Sequence, residues 1–332
     1  GGSSGSGHSP SRTAGDGVVL RPPHGPEVLA ELGAALRAGR LVAFPTETVY
    51  GLGANGLDAT AVLKIFEAKG RPLNDPCILH VPGVAEALEL LELSVAERAV
   101  FELLVERCWP GPLSVVARAH AAVPREVTAS TDFVAVRCPA HPVALELLRA
   151  ARVPLAAPSA NRFGHISPTT AEHVAEDLGH VEGLRVLDGG ACGVGIESTV
   201  VKLDMDRHRV VVLRKGGTTG EKLERILLEG SSRKAFGDAA VRLEFHSPHD
   251  AAASRGAAGA GSTRAATEDE DKEAQQAPGM MLRHYAPSVP TFLLSVRHAA
   301  PSPPPPFELG APAQAVLIDF GGRLRAHARH FA

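Results

Sequence analysis

The segment Gly39 to Val81 constrains the fold more than any other part of the chain. Leu41-Val42-Ala43-Phe44 is an apolar run stopped by Pro45, a length that suits a buried strand rather than a helix. Thr46-Glu47-Thr48-Val49-Tyr50-Gly51-Leu52-Gly53 follows, hydroxyls and a phenol set among glycines. Asp58 is placed to cap a helix through Glu67 that carries Val62, Leu63, Ile65 and Phe66, and Gly70 is placed to end it. Lys69 and Arg71 put two cations at that helix end, and Pro76 leads into a second short strand, Cys77 to Val81, with His80 near its end. Polar and cationic groups therefore gather where two strands and a helix end, the usual place for a site in an α/β sheet.

The flanking sequence continues the alternation. Glu27 to Ala38 has helical apolar spacing and stops at Gly39; Ala85 to Leu93 reads as a helix, and Ser94 with Glu97 forms a capping box for another helix to about Arg107. Trp109-Pro110-Gly111-Pro112 turns the chain into a strand, Leu113 to Arg118, and Phe133 to Arg137 is a further strand ending in a lone cation. A helix over 141–151, a strand over 153–157 and a loop over 158–168 come next, then a helix opened by Thr169 and Glu172 and closed by Gly179. Strands over 185–187, 199–203 and 209–213 complete the set, and Thr218 with Glu221 opens a helix over 222–228. Irregular alternation of this kind predicts an α/β fold, a twisted mixed sheet with helices packed on it.

The chain divides by composition. Residues 1–17 lack an apolar core and read as a disordered tail rather than a secretory signal. One domain is expected over 18–240. Residues 241–290 read as a linker, because from His246 to Ala277 Ala, Gly, Ser and charge leave nothing large and apolar to bury. The remaining residues, 291–332, are expected to form part of a small α/β domain. A formal net charge of −3 with no long basic run argues against wholesale nucleic-acid binding. The four cysteines show no CxxC pair, which argues against a zinc site or a disulfide framework and fits a reducing compartment. No stretch approaches the length of a membrane span.

PTETVYGLG, KGRP with the following NDPCILHV, WPGPLS, SANRFG and ESTVV occur in this order between Pro45 and Val201. Together they resemble the YrdC-like threonylcarbamoyl-AMP synthase family, and the later Arg283-His284-Tyr285-Ala286-Pro287 is similar to its two-domain form. The resemblance implies a cavity over the sheet. It also implies an activity: L-threonine, bicarbonate (or CO2) and ATP would give threonylcarbamoyl-adenylate and pyrophosphate. Mg²⁺ would accompany the ATP, with no metal ligands from the protein. The product would pass to a separate transferase complex that modifies ANN-decoding tRNAs, with direct tRNA binding weak or absent. A cytoplasmic location is expected, or a mitochondrial one in a eukaryote.

The same resemblance assigns roles by position. Lys69, Arg71, Ser159 and Asn161 would act on the phosphates and the carbamate; permanent cations suit a triphosphate, and a hydroxyl and an amide add neutral donors. Thr46, Tyr50, Arg71, His80, Arg137 and Ser198 would surround threonine, with Arg137 on its carboxylate. Arg214 would touch the nucleotide, together with Lys69, Ser159 and Asn161. His284 and Tyr285 would close over it as a lid. Read without the resemblance, Thr46 and Tyr50 serve equally well to satisfy turn backbone, and Arg137 to form a structural ion pair. Two other functions fit the same fold. A carbamoyl-adenylate-forming maturation domain would bring CxxC motifs, absent from this sequence. A non-enzymatic RNA-binding module would want a stacking platform, whereas only 4% of the residues are aromatic. Gly216 to Lys222 lacks the phosphate-loop spacing, and Glu197-Ser198-Thr199 is not a nucleophile elbow.

Overall fold

Short apolar runs between proline and glycine stops fold as strands, and the longer periodic segments fold as helices packed on them. The computed structural model describes residues 11–12, 18–22, 24–232, 240–246 and 275. β1 (Ser11–Arg12) pairs with β2 (Val18–Leu20), α1 (Pro26–Arg37) starts with proline in its first turn, and β3 (Val42–Phe44) is the buried strand expected there. β4 (Gly51–Asn55) comes next, then α2 (Ala59–Lys69) and β5 (Ile78–His80). Asp58 caps α2 by accepting from the Thr60 and Ala61 amides, and Gly70 closes it at φ +62°, a conformation that favours glycine. α4 (Val95–Cys108) has both halves of its Ser94/Glu97 capping box.

The expected helix over 85–93 is cut short. α3 (Val84–Leu88) ends early, and β6 (Leu91–Glu92) pairs with β7 (Leu113–Ala119). Leu90 and Leu91 are both buried, and an extended segment on the edge of β7 places them inside without prolonging a marginal helix.

β8 (Phe133–Arg137), α5 (Pro142–Ala151) and β9 (Leu155–Ala156) follow as read from the sequence. The cap of α6 (Ala171–Leu178) is Thr170, not Thr169, because the Thr169 carbonyl is taken outside the helix by the Cys192 amide. β10 (Arg185–Leu187), β11 (Thr199–Asp204) and β12 (Arg209–Arg214) precede α7 (Gly220–Ser232). Thr219 rather than Thr218 accepts an amide of α7, from Lys222, while Thr218 donates to the Pro112 carbonyl. β13 (Arg242–Phe245) adds a strand parallel to β12, so the sheet runs on past residue 240.

The described strands join in the order β1-β2-β10-β3-β4-β9-β5-β8-β7-β11-β12-β13, with parallel and antiparallel neighbours mixed. One face is covered throughout by the main core, to which α2, α4, α6 and α7 contribute Ile65, Phe101, Val174 and Leu223. On the opposite face, α1 and α5 cover only the end containing β3, β9 and β10, through Leu32, Leu36, Leu147, Leu148, Phe44 and Leu187. Further along that face Ile78, Val116, Ala135 and Val200 form a small apolar cluster with no helical member. Among the described residues, this step between a helix-covered and a helix-free half of one sheet face creates the concavity that holds the site. None of the described helices is long and apolar enough to cross a membrane.

The α1–α5 layer sets the wall of that step, and Gly33 sets its spacing. A Cβ built on Gly33 would lie 2.5 Å from the Ala150 carbonyl oxygen, a backbone atom with little room to yield. Gly→Ala inside a helix ordinarily stabilises by about 1 kcal/mol. Here Gly33→Ala is expected to destabilise by about 1–3 kcal/mol, because overpacking outweighs propensity, and the denaturant midpoint should fall accordingly.

Candidate active site

β5 and β8 run parallel with His80 opposite Arg137, so both side chains stand at the same end of the sheet. β11 begins beside Ser198, and antiparallel β12 ends opposite it at Arg214. The turn after β3 brings Thr46 to Tyr50 over these ends, and Arg71 reaches in from beyond α2. The resulting pocket encloses about 480 Å³, part of it open to solvent, and is lined by Thr46, Tyr50, Arg71, His80, Arg137, Ser159, Ser198 and Arg214 among others. Eight of the residues singled out in the sequence thus meet around one space.

Arg71 is almost fully buried. Its Nε donates to the Asp75 carbonyl (3.0 Å), its Nη2 to the Pro76 carbonyl (2.6 Å), and Nη2 lies 3.0 Å from the Asp75 carboxylate. Lys69 and Asn161 do not line the pocket. The Lys69 ammonium turns instead to the Ser159 carbonyl (2.7 Å) and the Asn161 carbonyl, and so ties the end of α2 to the 159–161 loop. Burial, with Arg71 nearby, draws this ammonium down to about 7. The Asn161 amide donates to the carbonyls of Arg162 (3.0 Å) and His165 (2.8 Å), bracing the same loop from inside. Ser159 is held against Gly51 by an antiparallel bridge, with the Ala160 amide on the Tyr50 carbonyl. Lys69 and Asn161 therefore shape the loop that presents Ser159.

The Thr46 hydroxyl donates to the Val49 carbonyl (2.6 Å) and accepts from the Thr48 and Val49 amides (3.2 Å each), closing its own turn. The Tyr50 hydroxyl points to the glycine pair after β10: it donates to the Gly190 carbonyl (2.8 Å) and accepts from the Gly189 amide (3.1 Å). Both residues line the pocket while their hydroxyls serve backbone, one of the two uses open to them from sequence. His80 donates from Nδ1 to the Ile78 carbonyl (3.3 Å), and burial followed by Arg137 lowers its pKa to about 3, so it works as a neutral imidazole. Ser198 Oγ lies 2.8 Å from Ser114 Oγ, and Arg214 Nη2 donates to the Ser198 carbonyl (3.0 Å).

Arg137 does form an ion pair. Its Nη2 meets Glu47 Oε1 at 2.6 Å and its Nε donates to the Gly111 carbonyl (3.3 Å). Burial lowers its pKa and Glu47 opposes that shift. Glu47 had no assigned role in the sequence, because nothing local reveals a partner lying 90 residues away. Glu197 was equally silent; it lines the pocket, and Ser167 Oγ donates to its carboxylate. Both lie inside the quoted motifs, so the signal available was membership of PTETVYGLG and ESTVV. His284 and Tyr285 fall outside the described residues, as does 291–332. Gln275 is described, and its amide donates to the Asn74 carbonyl (2.9 Å) on the turn beside Arg71.

This collection can bind a polyanion and a small carboxylate side by side, with hydroxyls and a neutral imidazole for uncharged groups. Comparison with known proteins agrees in extent. The Sua5/YciO/YrdC family model, described as telomere recombination, matches residues 34–216, and the model for the C-terminal domain of threonylcarbamoyl-AMP synthase matches 218–306. Threonylcarbamoyl-AMP synthase of Pyrococcus abyssi is 43% identical over 260 residues, covering 78% of this chain and 65% of its own length. That of Bacillus subtilis is 40% identical over 265 residues, covering 79% and 65%. The chain thus spans just under two thirds of these curated relatives. The crystal structure of P. abyssi Sua5 complexed with L-threonine superposes with a TM-score of 0.64 at 39% identity, over 82% of this chain and 69% of that one.

Proposed function

The chain belongs to the Sua5/YciO/YrdC family, and from that membership and the charge of its pocket we propose that it is a threonylcarbamoyl-AMP synthase. The observation that carries this reading is the convergence of three guanidiniums, Arg71, Arg137 and Arg214, on one pocket with Ser159 and Ser198. ATP and a carbamate are both anionic, and their union requires close negative charges to be held together in a site that excludes water. The amine of L-threonine adds to CO2 from bicarbonate, and a carbamate oxygen attacks the α-phosphorus of ATP. The bond from the α-phosphorus to the oxygen bridging it to the β-phosphorus breaks, its electron pair leaving with pyrophosphate, and water is the other product when bicarbonate is counted. No covalent enzyme intermediate is needed, so positioning and charge neutralisation carry the rate.

Arg71 and Arg214 stand for the phosphates and Arg137 for the threonine carboxylate. Ser159 presents a neutral donor near the reacting centre from the loop that Lys69 and Asn161 brace. His80, neutral throughout the physiological range, suits a contact with the uncharged threonine side chain. Mg²⁺ would accompany the ATP, bound chiefly through its phosphates and water, and would neutralise phosphate charge. His284 and Tyr285, by the resemblance of their motif, would close over the nucleotide as a lid. The adenylate would then pass to a tRNA-modifying transferase complex.

The test is pyrophosphate release by the full chain from ATP and Mg²⁺, with L-threonine and bicarbonate supplied singly and together. Release that needs both is expected. Release indifferent to threonine would point to a different acceptor, and salt-sensitive RNA binding without turnover would move the reading to an RNA-binding module.

A further inference from the structure

Arg71 and Arg137, which line the pocket, are each paired with a carboxylate that does not line it. Asp75 stands behind Arg71 and Glu47 behind Arg137. The second pair is the more informative, because Glu47 ties together three segments that meet only in the folded protein. Its Oε1 takes Arg137 Nη2 at 2.6 Å, and its Oε2 accepts the Ala140 amide at 3.0 Å, between β8 and α5. Its backbone carbonyl accepts the Val194 amide at 2.8 Å, in the glycine-rich loop that leads to Glu197 and Ser198. Arg137 is thus fixed through Nη2 by Glu47 and through Nε by the Gly111 carbonyl, while Nη1 takes part in neither bond.

We propose that Glu47 is a positioning residue for the amino-acid substrate: it locks the Arg137 guanidinium in one plane, so that the Nη1 edge meets the substrate carboxylate already oriented. The inference rests on the synthase reading above and adds to it a residue that never touches substrate. A buried arginine without Glu47 would carry an uncompensated charge and three rotatable bonds near its head, and would meet the carboxylate in many geometries. With Glu47 in place its fork is set before binding, and less ordering remains to be done when the substrate arrives.

Glu47→Gln and Glu47→Asp in the full chain test this through pyrophosphate release, with calorimetric titration of L-threonine as a readout free of turnover. Glu47→Gln keeps the size and one acceptor but removes the charge. Its KM for threonine and its threonine Kd are expected to rise about tenfold, with kcat at saturating threonine and the KM for ATP within about twofold of the parent. Glu47→Asp, which restores the charge, should recover part of the loss. An unchanged or lower threonine KM in Glu47→Gln would overturn the proposal, since Glu47 would then be idle or a competitor for Arg137. Parallel rises for threonine and ATP, with a lowered melting temperature, would also overturn it in favour of a purely structural brace. A parent chain that neither needs nor binds threonine would overturn the synthase reading itself, an outcome visible before any variant is made.

Discussion

On the proposed synthase reading, Lys69→Met is expected to cut threonine-dependent pyrophosphate release by about two to three orders of magnitude, the size of effect seen when one preorganised donor is lost from an active site. The loss should fall on kcat more than on either KM. The physical reason is the position of the ammonium: it does not line the pocket but binds the carbonyls of Ser159 and Asn161, so it sets the loop that aims Ser159. Methionine fills the same volume and donates nothing, so two buried carbonyls lose a charged partner at about 1–3 kcal/mol each. The pH dependence separates this role from simple packing. A lysine titrates near 10.4 in an unfolded chain, and in the folded protein Lys69 titrates at about 7. Between those values the unfolded chain holds the extra proton, so stability should rise with pH across that window, the cost of burying the charge being fully present below about 7. Activity should move the opposite way and decline above about 7 as the ammonium that organises the loop is lost. In Lys69→Met both of these pH dependences should disappear, which rate profiles and denaturant midpoints would show.

That the Lys69 ammonium bonds the carbonyls of the 159–161 loop could not be read from KGRP alone. The sequence shows a cation at a helix end; the fold decides whether it faces a ligand or a neighbouring backbone. The same distinction runs through the elements. Strands announced by β-branched runs, such as β8 and β12, and helices announced by a cap and a glycine stop, such as α2, are legible because the signals lie within one turn or one strand. β4 is not legible, since Gly51-Leu52-Gly53-Ala54-Asn55 opposes every strand propensity. It is a strand through its pairing with β3 and β9, and it is glycine-rich because Phe44 on β3 needs the room: a Cβ on Gly53 would lie 2.8 Å from the Phe44 ring. The need belongs to a neighbouring strand and cannot be seen locally. The caps at Thr170 and Thr219 were each misplaced by one residue for a related reason, because backbone from 192 or 112 claims the earlier threonine's groups.

At the site, residue types and motif order identify which side chains meet, and eight of them do line one pocket. What each does there depends on partners distant in sequence. Tyr50 illustrates this: its hydroxyl is taken by Gly189 and Gly190, contributed by the loop after β10. Arg137 illustrates it again through Glu47. Charge pairing across 90 residues leaves no trace in periodicity or spacing, so only the fold could reveal that the pocket's cations arrive partly neutralised.

Arg71→Ala should lower stability by about 3–5 kcal/mol, or the melting temperature by roughly 10 °C. The Arg71 and Asp75 side chains are 2% and 0% exposed, so removing the guanidinium takes an ion pair and two backbone hydrogen bonds out of the interior at once. Asp75→Asn in the same chain should return part of the loss, because a neutral amide costs less to bury than a charge. Arg71→Lys is the sharper probe of function. A lysine keeps the charge near Asp75 but cannot reach the Asp75 and Pro76 carbonyls at once, as Nε and Nη2 do. Those two bonds fix the turn from α2 to β5 and leave the rest of the planar fork to the pocket. Arg71→Lys is therefore expected to hold most of the melting temperature while losing at least about tenfold in kcat/KM for ATP. Equal losses in Arg71→Lys and Arg71→Ala would mean that the turn alone matters; a sound fold with lost turnover would place the arginine on the phosphates.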